Sequence, residues 1–194
     1  MLFRLLTVLI CLVVFINGCN SVVSQYFGTH KLRNFTIQQA LNKGIGDSDF
    51  IELTGASPTG DFVFVPGKRA NDPGIIIFPL LSEEQLAQLD QGQQVRPRVI
   101  AWTEDFNPDC VKQGNCVPRG VQTYKGIIRN LSKEKNKTSQ LPAAKYALPK
   151  YVIYMETNRE PIAWYWNVAM MVGAVLLAFI VERKNFFKRR TPAS

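Results

Sequence analysis

Ile162–Val181 reads IAWYWNVAMMVGAVLLAFIV, twenty residues whose apolar run is broken only by Asn167. At about 1.5 Å of rise per residue, a helix of that length crosses the ~30 Å hydrocarbon core of a bilayer. Its flanks set a direction. Trp164, Tyr165 and Trp166 suit the headgroup interface, whereas Arg183, Lys184, Lys188, Arg189 and Arg190 form a basic cluster of the kind that stays cytoplasmic. The tail, 182–194, is therefore expected inside the cell, and the residues before the span outside it. A topogenic role accounts for the tail; attraction of Arg189 and Arg190 to anionic lipid headgroups is the second reading.

The N-terminus carries a shorter apolar run, Leu5 to Ile16, after Arg4 and before Asn17-Gly18-Cys19. Three readings of segment 1–19 stand. The favoured one is an uncleaved signal anchor, because snorkelling and local bilayer thinning absorb a short span. The others are a cleaved signal peptide and a bacterial lipoprotein signal with Cys19 as the lipidated residue. All three place residues 20–161 outside the cytoplasm, with a bacterial inner membrane as the expected location.

The formal charge of +8 suggests nucleic acid until it is divided by compartment. Arg4 and the five basic tail residues, less Glu182, account for +5 of it. Between Asn20 and Pro161 there are 17 Lys/Arg and 14 Asp/Glu, an ordinary balance for a folded domain, so no nucleic-acid partner is expected. A segment of this length suffices for one compact domain. Its cysteines beyond Cys19 are Cys110 and Cys116, in the turn-rich stretch DFNPDCVKQGNCVPRG. A pair that close, in an oxidising compartment and without further Cys or His ligands, reads as a local disulfide within a loop. Cys11, inside the first apolar run, reads as an inert small hydrophobe.

Along the domain, Thr36-Ile37-Gln38-Gln39 has the capping-box pattern of a short helix to Asn42 or Lys43, which Gly44 stops. Strands are expected at Phe50–Thr54, Asp61–Val65 and Gly74–Leu81. A second capping box, Ser82 to Gln85, opens a helix through Leu89 and Asp90. Further strands follow at Arg96–Thr103 and Gly120–Asn130, the latter with a bulge or bend at Gly126, and at Lys150–Glu156. Leu131–Ala144, rich in Ser, Lys, Asn, Thr and Gln, reads as a solvated loop. Six short strands and two short helices indicate a mainly β fold: a small OB-like barrel or sandwich, plus one or two transmembrane helices.

The residues that common catalytic chemistries need are sparse. One histidine, His30, excludes a His triad or His-rich metal site supplied by this chain alone. Gly44-Ile45-Gly46 follows a helix and precedes a strand, the wrong order for a dinucleotide fingerprint. Ser57 with Lys68 and Ser82 with Lys125 are nominal Ser/Lys partners, but Ser57 reads as a turn residue and Ser82 as a helix cap. The carboxylate pairs Glu83/Glu84 and Glu104/Asp105 fall at a helix start and a strand end, where negative charge suits the helix dipole or water. No catalytic residue, metal or cofactor is expected. Asn34, Asn130 and Asn136 match the glycosylation sequon, which matters only in a secretory lumen.

Interaction is the remaining theme. In the span, Ala169 and Gly173, and Ala174 and Ala178, have the small-xxx-small spacing that lets helices approach closely in lipid. The arrangement TIQQALNKG, DFIELTG, GIIIFPL, RPRVIAWTED, YKGIIRNL and KYVIYMETNREP before a span resembles the extracytoplasmic domain of small bacterial membrane proteins. More distantly it resembles the domain between two spans in mitochondrial membrane-anchored ubiquitin ligases of the GIDE type. The resemblance covers residues 36–181 and implies an anchored OB-like module. It carries no catalytic residue across, since the thirteen residues after Val181 hold no Cys or His for a RING domain. The expected role is a non-enzymatic subunit or accessory protein of a membrane complex, with other integral membrane proteins or a second copy as partner. A sensor or binding module for a lipid, glycan or peptide is the alternative, and a Ser/Lys-type hydrolase the third.

Overall fold

The computed structural model describes residues 2–69, 74–133 and 136–188, with side chains to 183 in the last helix. The chain divides into two units: residues 1–30 with 161–194, and residues 31–160.

The first unit is a pair of helices, α1 (Leu2–Phe27) and α5 (Trp164–Lys188), each long and apolar enough to cross a membrane. Contacts at both ends show them to be antiparallel. Arg4 Nε lies 2.8 Å from Glu182 Oε1 at one end, and the Gln25 amide donates to the Ile162 carbonyl at the other. Cys11, Gly18, Asn167 and Ala174 are the buried residues between them. Gly18 is needed there, because an added Cβ would come within 2.5 Å of Met171 Cγ. Most of the large apolar side chains of both helices, such as Leu9, Val13, Val172 and Leu176, remain exposed. The N-terminal apolar run is thus part of a longer element than its sequence suggests. The helix continues through Asn17-Gly18-Cys19, because Val22, Val23, Tyr26 and Phe27 prolong an apolar surface around scattered Ser and Gln.

The second unit is a seven-stranded sheet in the order β1-β2-β6-β7-β5-β4-β3, built from β1 (Arg33–Thr36), β2 (Phe50–Pro58), β3 (Val63–Val65), β4 (Ile75–Leu81), β5 (Val99–Thr103), β6 (Gln122–Ile128) and β7 (Ile153–Thr157). An additional pairing of Ser57 with Leu81 and Pro58 with Leu80 joins β2 to β4. It closes β2, β6, β7, β5 and β4 into a five-stranded barrel, with β1 added beside β2 and β3 beside β4. Neighbours in the barrel are antiparallel except β5 and β7, which are parallel. Three helices interrupt the strands: α2 (Ile37–Lys43), α3 (Glu83–Asp90) and α4 (Asp109–Gln113). Both expected capping boxes are formed, by Thr36 with Gln39 and by Ser82 with Gln85.

Alternation along the strands makes two cores. Leu53 and Ala56 of β2, Ile76, Phe78 and Leu80 of β4, Val99 and Ala101 of β5, Tyr124 of β6 and Ile153 of β7 meet in one cluster. Because every barrel strand contributes, this is the barrel interior. Ile37 and Ala40 of α2 pack on it, and so do Val117, Phe106 and Cys116 from the segment after β5. The opposite faces of β4 and β5 carry Ile75, Ile77, Leu81, Ile100 and Trp102 into a second, outer cluster with Leu131, Leu141 and Tyr146.

Leu131–Ala144 is a loop whose described residues are mostly exposed, as expected, but that outer cluster pins it to the domain. Leu131 and Leu141 are buried and anchor the segment, and a 3-10 turn at Thr138–Gln140 carries a buried Thr138 hydroxyl bonded to Asn136 Oδ1 at 2.7 Å. Asn136 Oδ1 also accepts the backbone N–H of Thr138 at 3.3 Å. Gly126 is not a bulge: it pairs in register with Ile51 and Thr157, and an added Cβ would collide with the Glu156 carbonyl. The register irregularity lies instead in β2 between Leu53 and Ala56, where Gly55 has φ +70°. Strand β1 and helix α4 were not expected; the first has only four residues, and the second lies within the Pro- and Asn-rich stretch read as a loop.

Candidate functional site

At the end of the barrel where β5 finishes, a cavity of about 380 Å³ opens between interior-facing strand residues and the segment that follows β5. Ile76 and Phe78 of β4 and Tyr124 of β6 line its strand side, and Asp105, Phe106 and Val117 its other side. The rings form two pairs. Phe78 and Tyr124 lie 5.9 Å apart between centroids, and Phe106 meets the β3 residue Phe64 edge-on at 6.0 Å. Tyr124 borders the cavity, and its hydroxyl is buried with no hydrogen-bond partner. Burial raises the Tyr124 pKa from 10.0 to about 12, so the phenol is neutral across the physiological range.

The wall opposite the strands is held in place covalently. Cys110, in α4, is bonded to Cys116, and both border the cavity. Helix α4 is a single short element stopped by Gly114 in the left-handed conformation at φ +69°. Thr103 Oγ1 accepts the backbone N–H of Asp105 at 3.0 Å and turns the chain from β5 into this cap. Asp105 Oδ atoms make no ion pair among the described residues, and Asp105 is the only charged side chain on the cavity wall among them.

A second cleft, of about 520 Å³, lies between the turn after β2, helix α3 and the segment before β7. Its chemistry centres on Asp61. Tyr146 Oη donates to Asp61 Oδ2 at 2.7 Å, which leaves the Thr59 hydroxyl to donate to Tyr146 Oη at 2.7 Å. Lys145 Nζ reaches both carboxylate oxygens at 2.9 and 3.0 Å. Burial works to raise the Asp61 pKa, but the bonds from Tyr146 and Lys145 and the Lys145 charge outweigh it and hold the carboxyl below its ordinary value of 3.8. Tyr146 moves the other way, driven up by burial and by the neighbouring carboxylate. Arg119 lies across Gly60 on the same cleft, at a φ of +87° where a Cβ would meet Arg119 Nε at 2.9 Å.

The residues singled out in the sequence fall as follows. Cys110 and Cys116 form the disulfide that was expected of them. Of the small residues in the span, Ala174 is buried against α1 and Ala178 is half-buried, while Ala169 and Gly173 are exposed and a Cβ on Gly173 would touch nothing. Cys19 is free and half-buried inside α1, and Cys11 is buried between the helices. Ser57 Oγ is buried without a partner, so it is not bonded to Lys68; Ser82 caps α3, and Lys125 pairs with Glu160. Glu83 and Glu84 sit in the first turn of α3. The basic tail residues Arg189 and Arg190 lie outside the described residues. Among the described residues no cluster of three or more His, Cys, Asp or Glu could hold a metal ion.

Sequence reasoning missed the Asp61–Tyr146–Lys145 network and the buried Glu156, which Arg129 and Arg159 hold at 3.2 and 3.3 Å. No local signal could have found the first, because its members come from opposite halves of the domain. Compared with family models, with curated proteins and with solved structures, the chain shows no significant match.

Proposed function

We propose that the chain is a twice-anchored membrane protein, with α1 retained, whose barrel lies outside the cytoplasm of a bacterial inner-membrane cell envelope and serves a membrane complex as a non-catalytic subunit or accessory protein. The observation that carries this reading is the antiparallel helix pair. Gly18, Asn167 and Ala174 fit α1 to α5 closely, as in helix association in lipid, and the barrel is the insert between the two helices. Arg4 and the basic tail then fall on one side, in keeping with the charge bias of cytoplasmic flanks.

The barrel itself is best read as OB-like. Taken in chain order, its five strands close as first-second-third-fifth-fourth-first, the third and fifth are the parallel pair, and α4 falls between the third and fourth. Such barrels present ligands or partners to one sheet face and the adjoining loops. Affinity purification of the tagged full chain from mild detergent tests the proposal: an integral membrane protein should co-purify in near-stoichiometric amount. A chain that stays monomeric and partnerless after crosslinking in its own membrane would overturn it. The cavity at the barrel end favours a second reading, a binding module for a small molecule, which is compatible with either outcome.

A further inference from the structure

The cavity at the end of the barrel differs from the rest of the domain in two respects. In a domain with a basic excess, its described wall holds no Lys or Arg and one carboxylate, that of Asp105, which is exposed and makes no ion pair among the described residues. Three aromatic rings, Phe78, Tyr124 and Phe106, also border the space, and their positions are fixed: Phe78 and Tyr124 by each other, Phe106 by Phe64 and by the disulfide-closed cap. The negative faces of aromatic rings attract cations within about 6 Å, an attraction worth ~0.5–2 kcal/mol that grows as water is excluded. A neighbouring carboxylate adds charge without adding bulk. A neutral apolar ligand would use the rings but would gain nothing from Asp105, and an anion would be repelled by it.

We propose that this barrel-end cavity, bounded by Phe78, Tyr124, Phe106 and Asp105, binds a small organic ammonium group, carried by a free amine or by an extended lysine side chain of a partner. The volume, about 380 Å³, lies at the lower end of the range of small-molecule sites. This inference deepens the binding-module reading and stands apart from the question of subunit partners.

The test is titration of the full chain in detergent with butylammonium, with butan-1-ol and butyrate as neutral and anionic counterparts, followed by NMR signals of the Phe106 and Tyr124 rings and by calorimetry. Butylammonium should bind saturably, tetramethylammonium should compete with it, and butan-1-ol should bind at least about fivefold more weakly. Asp105→Asn, which keeps the backbone bond to Thr103, and Phe106→Leu should each weaken butylammonium about five- to tenfold, while the melting temperature of Asp105→Asn stays within a few degrees of wild type. A lysine-containing tetrapeptide that competes where its norleucine counterpart does not would extend the site to a partner side chain; competition by butylammonium alone would restrict it to free amines. Equal binding of butan-1-ol and butylammonium would overturn the ammonium assignment while keeping a ligand cavity. No saturable binding of either would remove the binding-module reading as well, and neither result would bear on co-purification of a membrane partner.

Discussion

Asp61, in the turn after β2, gathers side chains from distant parts of the chain. Its carboxylate takes bonds from Tyr146 and Lys145, residues that are brought to it from the segment before β7. Asp61→Asn removes the charge and weakens both, and should cost about 1–3 kcal/mol in chemical denaturation, the range for breaking a part-buried charged hydrogen bond. The sign with pH follows from the direction of its shift. The folded carboxyl titrates below 3.8, so its contribution is fully present above the unfolded value and is lost as pH falls through the lower, folded one. Stability measured from pH 5 downward should therefore fall more steeply for wild type than for Asp61→Asn. Tyr124 presents the opposite case, a buried hydroxyl with nothing to bond. Tyr124→Phe should be neutral or raise stability by up to about 1 kcal/mol, since it removes an unsatisfied group and keeps the ring. A loss of more than 2 kcal/mol would show that the hydroxyl has a partner. Neither network nor orphan hydroxyl could be read from sequence, because Asp61 and Tyr146 are 85 residues apart and Tyr124 is one tyrosine among several on strands.

At the scale of elements, sequence legibility tracked local signals. The two capping boxes fixed α2 and α3 because cap chemistry is local, and β-branched runs such as Ile75-Ile76-Ile77 announced strands for the same reason. Strand β1 was not legible, since Arg33–Thr36 has no periodic pattern and becomes a strand only through its parallel pairing with β2. Closure of the barrel was equally hidden, because it depends on two residue pairs between β2 and β4. The cap is the element whose energetics are simplest to test. Replacing Cys110 and Cys116 by Ser opens a short covalent loop and should cost about 2 kcal/mol in denaturant, mostly through the unfolded chain. In the helix pair, Gly18→Leu should weaken α1–α5 association, because Met171 occupies the space its side chain would need. Gly173→Ile should leave that association unchanged, since Gly173 faces away from α1; any loss of a co-purifying protein in this variant would place the partner helix on that outer face. Crosslinking between cysteines placed along α1 and α5, compared across the two variants, separates these outcomes.

For the whole molecule, the two long apolar helices were legible because length and apolar composition over about twenty residues are signals that do not depend on tertiary contacts. The length of α1 was less so: Asn17, Gly18 and Cys19 resemble the end of a leader, whereas Gly18 is a packing position in mid-helix. The central claim joins these points: α1 is retained as an anchor, both ends of the chain lie in the cytoplasm, and the barrel lies outside. The most direct measurement combines intact-mass analysis of the membrane-extracted chain with a reporter active only outside the cytoplasm, fused in turn before Leu2, near Leu141 and after Arg190. The account predicts a mass that includes α1, activity at Leu141 and silence at both ends. A mature chain starting near residue 20, or activity at either terminus with silence at Leu141, would contradict it.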